Sequence, residues 1–176
     1  MGIIQALHYE VPRPNALQRG LWVISSSRPG SWLFARSLHH IDKAVLAISR
    51  GRLTSAGLLA GIPVLTVTST GARTGALRTM PLLGVPYGDD IAILGTHFGQ
   101  PSTPGWYYNL RAYPAAEVSY RDTSLTARAR EASEEERPVI WDLARKIYAG
   151  YEAYGRRITG RKIPIMVLSA DAPDSR

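Results

Sequence analysis

The residues best suited to chemistry are two arginines in a glycine-rich stretch, residues 70–81. Arg73 and Arg78 carry guanidinium groups, which bind phosphate or carboxylate through paired hydrogen bonds. Gly71 and Gly75 let the backbone adopt a positive φ or approach a ligand closely. The segment therefore predicts a turn that holds an anion. The alternative is an ordinary hairpin with exposed arginines.

A second run of interest is Pro-Gly-Trp-Tyr-Tyr-Asn-Leu at residues 104–110. Pro104 suits the first position of a short helix, whose free backbone amides attract anions. Trp106 and Asn109 would then lie on adjacent faces of that helix. We expect both to border a ligand groove, although Trp106 also suits a core position.

Three tyrosines recur at every third position, and this spacing places them along one side of a helix. Such a flat aromatic wall would suit a planar substrate, whereas core packing is the alternative. Gly150 and Gly155 favour a segment that bends or moves as a lid. The three residues are Tyr148, Tyr151 and Tyr154.

The sequence argues against several other chemistries. It has no cysteine, which excludes thiolate catalysis and cysteine-ligated metals. It also has no Ser-His-Asp arrangement, H-E-x-x-H pair or phosphate-binding loop, and we expect no metal site. The glutamates at 134–136 would open a helix and form surface charge. Any redox chemistry must therefore come from a bound cofactor.

The chain has 176 residues and a net charge of +7, and residues 1–52 hold seven lysines and arginines against two acidic residues, a net +5. We expect residues 1–30 to be a loosely packed arm. No nucleic-acid-binding motif accompanies this charge, so we expect no nucleic acid partner. A signal peptide and an apolar run of about 18 residues are also absent, which indicates an intracellular protein.

Residues 32–50 have the pattern of an amphipathic helix, with apolar residues at heptad spacing and basic residues opposite. A cationic helix of this kind suits an anionic membrane surface, here through residues 31–50. The alternative is a helix packed on its own domain. We divide the chain into this arm and helix, residues 1–52, and a second domain, residues 53–176.

The second part of the chain alternates strand and helix signals. Short antiparallel connections favour an α+β fold, a small barrel with flanking helices, over a doubly wound parallel sheet. Ser133 and Glu136 form a capping box for a helix that we expect to reach Gly150. Strands are predicted at 63–70, 77–85, 91–95, 115–120, 125–131 and 163–169, with a short helix at 104–111.

These motifs, in their order, resemble the deazaflavin-dependent nitroreductase and quinone reductase family of actinobacteria. The resemblance implies an FMN-binding-like split β-barrel and the cofactor coenzyme F420, which carries a phosphodiester and an oligoglutamate tail. It covers about residues 60–170. It rests on TGARTG at 70–75, RTMPL at 78–82, GQP at 99–101, WYYNL at 106–110 and TGRKIP at 159–164.

The resemblance also implies roles for individual residues. Thr96, Tyr151 and Tyr154 would be catalytic, and Tyr148, Tyr151 and Tyr154 would contact the substrate. His97 could donate a proton or contact phosphate, or be a loop residue without a role. Ala72 departs from the family pattern, which has a positive charge there. Cofactor contacts are implied for Arg73, Thr74, Arg78, Thr79, Met80, Pro81, Leu83, Leu94, Gly95, Thr96, His97, Pro104, Gly105, Trp106 and Asn109.

The resemblance thus implies an oxidoreductase that transfers a hydride from reduced F420 to a planar, electron-poor acceptor. A quinone or a nitroaromatic would fit. Two alternatives are an FMN-dependent oxidoreductase on the same barrel and a non-catalytic deazaflavin-binding or membrane-associated protein. We expect a cytoplasmic protein, with attachment to the inner face of the membrane as an option.

Overall fold

The computed structural model describes residues 1–12 and 63–171. Six antiparallel strands form a closed barrel in the order β1-β2-β3-β6-β5-β4, so the predicted barrel is confirmed. The described elements are α1 (Ile3–Ala6), β1 (Val64–Thr70), β2 (Leu77–Tyr87), β3 (Asp90–Leu94), a 3₁₀ turn (His97–Gly99), α2 (Gly105–Ala112), β4 (Ala115–Tyr120), β5 (Thr123–Glu131), α3 (Glu136–Ile147), α4 (Gly150–Arg157) and β6 (Ile165–Ala170).

Burial along the strands shows which faces line the barrel interior. Strand β1 alternates, with Leu65 and Val67 buried and their neighbours half-buried. This is the period of two that a strand with one covered face requires. Strand β3 instead buries Ile91 to Leu94 without interruption. Ile91 and Ile93 belong to the barrel core, while Ala92 and Leu94 pack with residues of α3 and α4 outside the barrel.

Because neighbouring strands are antiparallel, the barrel has two distinct ends. At the upper end, Thr70 pairs with Leu77, and Leu94 pairs with Ile165. At the lower end, Tyr87 pairs with Asp90, and Tyr120 pairs with Thr123. The glycine-rich turn and the loop after β3 therefore lie at the upper end.

The first residues of the chain pack into the barrel core at the lower end. Ile3, Leu7 and Tyr9 are buried among core side chains. The Tyr9 hydroxyl lies 2.6 Å from the carbonyl oxygen of Pro63 and 2.8 Å from that of Gly84. The expectation of a loosely packed arm is therefore wrong for residues 1–12.

Two further contacts fix this segment. The Ile4 amide donates to the Asp89 carbonyl oxygen at 3.4 Å, and the Tyr120 hydroxyl donates to the Glu10 carbonyl oxygen at 3.1 Å. The apolar side chains of the segment thus remove surface from water, and backbone hydrogen bonds set its register. We call residues 1–10 the N-terminal plug.

The capping box before α3 is confirmed. The Ser133 amide donates to Glu136 Oε2 at 2.8 Å, and the Glu136 amide lies 3.3 Å from Ser133 Oγ. The predicted extension to Gly150 is wrong, because α3 ends at Ile147. Tyr148 adopts an extended conformation, with φ of −145°, and α4 starts in a new direction two residues later.

Two expectations fall on residues that the structure does not describe. The amphipathic helix over 32–50 lies outside the described residues, and the division at residue 52 therefore stays a prediction. Among the described helices, none is long and apolar enough to cross a membrane.

Candidate functional site

The glycine-rich turn at the upper end is held by its own backbone and by helix α2. The Gly71 amide donates to the Ala76 carbonyl oxygen at 2.9 Å, and the Gly75 amide donates to Gly71 at 2.8 Å. Gly75 has a φ of +69°, the conformation for which the sequence predicts glycine. The Ala72 amide donates to Asn109 Oδ1 at 2.9 Å. Asn109 thus fastens the turn to α2.

The strand that follows this turn is uncovered. Arg73 and Arg78 are exposed, as are all of the first four residues of β2. Leu77 is 73% exposed and Met80 is 38% exposed. Arg78 and Met80 are two residues apart and share one face of β2, so an exposed guanidinium lies beside an exposed apolar side chain. Such a surface suits a ligand with a flat apolar part and an anionic part. The structure therefore places Arg78 and Met80 on one accessible strand, with Arg73 exposed in the turn that precedes it.

The other residues of the turn and β2 that are predicted to contact the cofactor either have a hydroxyl with a partner within the protein or are half-buried. Thr79 is exposed, and its hydroxyl lies 2.8 Å from the Thr68 hydroxyl on β1. The Thr74 hydroxyl accepts a weak bond, 3.4 Å, from the Ala76 amide within the turn. Pro81 and Leu83 are half-buried.

The loop after β3 contains a left-handed turn. His97, Phe98 and Gly99 have φ values of 48°, 55° and 81° in succession. L-amino acids disfavour this region, and two of these residues are not glycine. The Gly99 amide donates to the Thr96 carbonyl oxygen at 2.9 Å, and the Gln100 amide donates to His97 at 3.0 Å. We call residues 95–100 the left-handed loop.

Arg161 holds this loop from the segment before β6. Its guanidinium donates to the carbonyl oxygens of Gly95, Thr96 and Gln100 at 3.2, 3.3 and 3.1 Å. Burial lowers the pKa of this guanidinium. Sequence reasoning did not assign Arg161 to the site, although it singled out the motif that contains it. No local signal shows that a side chain near the end of the chain reaches three carbonyls about 60 residues earlier.

The predicted residues at the end of β3 and in the left-handed loop have different environments. Leu94 packs with residues of α3 and α4. Gly95 allows close packing, since a Cβ there would lie 2.5 Å from Pro164 Cγ. Thr96 is buried, at 5% exposure. The His97 Nδ1 atom lies 3.1 Å from Ser102 Oγ, which ties the loop to the segment before α2.

Helix α2 begins one residue later than the sequence suggests. Pro104 has a ψ of 144° and precedes the helix, so Gly105 occupies the first helical position. A Cβ at Gly105 would meet no atom within 4 Å, which leaves open space beside the first turn. Trp106 is buried in the barrel core with Leu110, which is the alternative that the sequence left open. Its contact with a cofactor stays a prediction.

The three predicted substrate tyrosines form a buried cluster, none more than 6% exposed. The hydroxyls of Tyr148 and Tyr154 lie 3.2 Å apart, and the Tyr148 and Tyr151 rings meet edge to face at 5.8 Å. Burial strongly raises the pKa of Tyr151. Gly150 and Gly155 permit close packing on rings: added Cβ atoms would lie 2.3 Å from Tyr148 and 2.7 Å from Trp141.

Ring contacts connect the tyrosines to the left-handed loop. Phe98 meets Tyr154 edge to face, with ring centroids 6.2 Å apart. The site residues thus fall into two groups: the turn and β2 with Asn109, and the left-handed loop with the tyrosines. Helix α2 follows the left-handed loop along the chain and contacts the first group through Asn109.

Comparison with known proteins identifies one family. The family model described as F420H(2)-dependent quinone reductase matches residues 43–170. An F420H(2)-dependent quinone reductase from Mycobacterium tuberculosis is 33% identical over 110 residues, covering 61% of this chain and 73% of that protein.

Solved structures agree with this similarity. A structure described as an F420-H2 dependent reductase has a TM-score of 0.55 at 36% identity, covering 60% of this chain and 93% of that one. A second structure, described as a domain-swapped dimer, has a TM-score of 0.56 at 30% identity, covering 80% and 98%. The span that the family model matches, residues 43–170, includes every residue assigned above to the two groups.

Proposed function

The chain belongs to the F420H(2)-dependent quinone reductase family, and we propose that its upper end carries out the family's reaction. The protein is an oxidoreductase that uses reduced coenzyme F420 and passes a hydride to a quinone. The observation that carries this proposal is the uncovered first half of β2. There, the exposed side chains of Arg78 and Met80 share one face of the strand, at the end of the barrel that holds the matched motifs.

The described residues fit this cofactor. Coenzyme F420 combines a flat heterocycle with a phosphodiester and an acidic tail. The exposed guanidiniums of Arg73 and Arg78 provide matching cations, because arginine binds phosphate and carboxylate through two donors. A Cβ at Gly105 would meet no atom within 4 Å, so a ligand can approach the first turn of α2, where the helix dipole favours an anion.

We propose the following roles for the site residues. Arg73, Arg78 and Thr74 bind the anionic part, and Met80, Pro81 and Leu83 form the apolar wall for the heterocycle. Thr79, Leu94, Gly95, Thr96, His97, Pro104, Gly105, Trp106 and Asn109 shape or close the remaining boundary. Ala72 provides no charge to the tail, since alanine stands where the family pattern has a cation.

When bound, the reduced deazaflavin supplies the hydride. The protein must orient the acceptor, exclude water and supply a proton to the developing oxyanion. Thr96 and Tyr154 are the candidates for hydrogen-bond donation at the edge of the left-handed loop. Tyr151 keeps its proton across the physiological range, because burial raises its pKa. We propose that it donates a hydrogen bond and that the net proton comes from solvent.

The tyrosine proposal has a direct test. Tyr154→Phe removes the hydroxyl while keeping the ring that contacts Phe98. If Tyr154 donates to the acceptor, kcat should fall by about tenfold or more, since a lost catalytic hydrogen bond typically costs that much. Unchanged kcat with a lower Tm would assign Tyr154 to packing alone.

The activity itself is tested by following the absorbance of reduced F420 after addition of menadione. Consumption that requires both protein and quinone supports the proposal. Binding of F420 without turnover of any quinone would favour the non-catalytic alternative. Tight binding of FMN with none of F420 would favour the flavin alternative.

A nitroaromatic acceptor is a finer proposal for the same site. Nitroaromatics share with quinones a planar, electron-poor ring, so the same acceptor site would take both. A nitroaromatic tested beside menadione, under identical conditions, distinguishes a general acceptor site from one limited to quinones.

We also propose that the basic segment meets an anionic membrane surface, which would suit a lipid quinone. The support is the net charge of +5 in residues 1–52 and the amphipathic pattern at 32–50. Because the N-terminal plug is part of the core, the test should keep residues 1–12. Substituting Arg36, Lys43 and Arg50 with glutamine should abolish co-sedimentation with anionic liposomes. Unchanged sedimentation would contradict the proposal.

A further inference from the structure

The left-handed loop stores conformational strain. His97, Phe98 and Gly99 adopt positive φ values in succession, and neither histidine nor phenylalanine favours that region. A segment of this kind persists only when its surroundings determine its conformation. The two hydrogen bonds within the loop, at the Gly99 and Gln100 amides, are too local to account for it alone.

Arg161 supplies a long-range constraint. Its guanidinium contacts two carbonyl oxygens before the strained residues, those of Gly95 and Thr96, and one after them, that of Gln100. A single planar group therefore fixes both flanks of the loop. Arginine suits this task because its donors form a rigid fork, whereas lysine has one compact ammonium.

The position of the Arg161 side chain leaves one of its own donors without a partner. The Nε atom of Arg161 is buried and has no hydrogen-bond partner within residues 1–12 and 63–171. A buried donor without a partner is unfavourable. The side chain nevertheless inserts far enough to reach all three carbonyls.

The opposite side of the loop packs on α4. Phe98 meets the Tyr154 ring, and a Cβ at Gly99 would lie 3.2 Å from Arg157 Cδ. The loop is therefore enclosed between Arg161 and the helix that carries two of the tyrosines. A shift of the loop would move Thr96 and Tyr154 relative to each other.

We propose that Arg161 is a positioning residue: it holds the left-handed loop, and through it Thr96 and His97, in the conformation that binds the cofactor and the acceptor. This rests on the proposed function for its catalytic consequence. The structural part, that Arg161 fixes the loop, is independent of that function. Arg161 itself need not touch the reacting atoms.

The experiment compares Arg161→Ala and Arg161→Lys with a control, Arg128→Ala, which removes an exposed arginine of β5 that pairs with Asp171. In the protein without cofactor, amide hydrogen exchange reports on the loop directly. Exchange at Gly99 and Gln100 should accelerate by about tenfold or more in Arg161→Ala, because bonds from a charged donor are lost. Arg161→Lys should accelerate it less, and Arg128→Ala should not change it.

The functional readouts are the Kd for coenzyme F420, from fluorescence quenching, and kcat/KM for menadione. Arg161→Ala should lower kcat/KM by about tenfold or more, since small misplacements of a site cost rate. Arg161→Lys should recover part of that loss, and the Kd should rise. Should Arg161→Ala fail to fold, Arg161→Lys alone carries both readouts.

Three results would overturn the proposal. Exchange at Gly99 and Gln100 could match the wild-type rates. It could rise no more than exchange at Ile93 in β3, which would mean general destabilisation. It could also rise while Kd and kcat/KM stay at wild-type values. A wild-type protein that binds F420 without reducing menadione would overturn the proposed function, while exchange and Kd would still decide the role of Arg161.

Discussion

The two ends of the barrel are built on opposite principles. At the lower end, the N-terminal plug buries Ile3 and Leu7 completely, and the Tyr9 hydroxyl binds backbone carbonyls. At the upper end, Leu77 is left 73% exposed, and Arg73 and Arg78 are exposed as well. At the lower end, the apolar surface is buried in the folded core. The upper end keeps apolar and cationic surface available for a ligand.

The difference extends to backbone conformation. The plug enters as a short helix held by ordinary hydrogen bonds, such as Leu7 to Ile3 at 3.0 Å. The upper end contains three successive residues with positive φ, clamped by a distant arginine. Single residues with positive φ also occur at the lower end, at His8, Gly88 and Arg121, whereas three in succession occur only in the left-handed loop among the described residues. A strained run of this kind is typical of a functional site, where surrounding structure offsets its cost. The comparison therefore assigns stability mainly to the lower end and chemistry to the upper end.

A matched pair of leucine substitutions should separate the ends most strongly. Leu7→Ala removes a fully buried side chain and should lower the free energy of unfolding by about 2–5 kcal/mol. Leu77→Ala removes an exposed one and should change it by no more than about 0.5 kcal/mol. Urea denaturation of both variants measures this. Equal losses of unfolding free energy in the two variants would contradict the assignment of stability to the lower end.

Tyr9→Phe should lower the free energy of unfolding by about 1–3 kcal/mol, because it removes a buried hydroxyl whose one proton is shared between the carbonyl oxygens of Pro63 and Gly84. Burial strongly raises the pKa of Tyr9, so the hydroxyl stays protonated and this loss should not vary between pH 6 and pH 8. The control is Tyr108→Phe, at an exposed tyrosine of α2, which should be nearly neutral. A fall in kcat for Tyr9→Phe would contradict a purely structural lower end.

Arg78→Ala should show the reverse behaviour. The Kd for coenzyme F420 should rise about tenfold, since a charge-assisted contact with the acidic tail is lost. The free energy of unfolding should stay within about 0.5 kcal/mol of wild type, because the side chain is exposed. Arg121→Asn, at the lower-end turn, removes the same charge and should leave the Kd unchanged. A similar rise for both variants would indicate nonspecific charge attraction.

The smallest effect concerns the start of α3. Arg130 and the Ser133 amide lower the pKa of Glu136 to about 2. This carboxylate therefore contributes stability that is fully present above about pH 4.5 and is lost as the pH falls toward 2. Glu136→Gln should cost about 1 kcal/mol at pH 7, the usual loss for a cap with an ion pair. Denaturation at pH 7 and pH 3.5 should show a smaller difference from wild type at the lower pH.

Local patterns in the sequence predict much of this fold. The strand signals, the hairpin connections and the capping box of Ser133 and Glu136 each depend on residues close together in the chain. Gly75 is likewise explained by the turn that contains it. Such features are accessible because strand period, turn chemistry and helix caps are properties of short segments.

The missed features depend on contacts between distant residues. The sequence predicts a loose arm where the plug packs into the core. Ile3 and Leu7 have helical spacing, but a helix of four residues gives no clear signal alone. Arg161 was missed because its partners precede it by about 60 residues. The tyrosine spacing predicts one side of a helix, which holds for Tyr151 and Tyr154 on α4 but not for Tyr148, which is extended between α3 and α4. The three side chains nevertheless form one cluster. The spacing cannot show that the cluster is buried, since a packed helix and a ligand wall have the same period.

The most direct test of the whole account is amide hydrogen exchange with and without coenzyme F420. We predict that the cofactor slows exchange in residues 71–83 and 95–109 at the upper end. Exchange in the N-terminal plug and at residues 87–91 should not change. Protection centred on the lower end, or no protection at residues 71–83 under saturating cofactor, would contradict the assignment of the site.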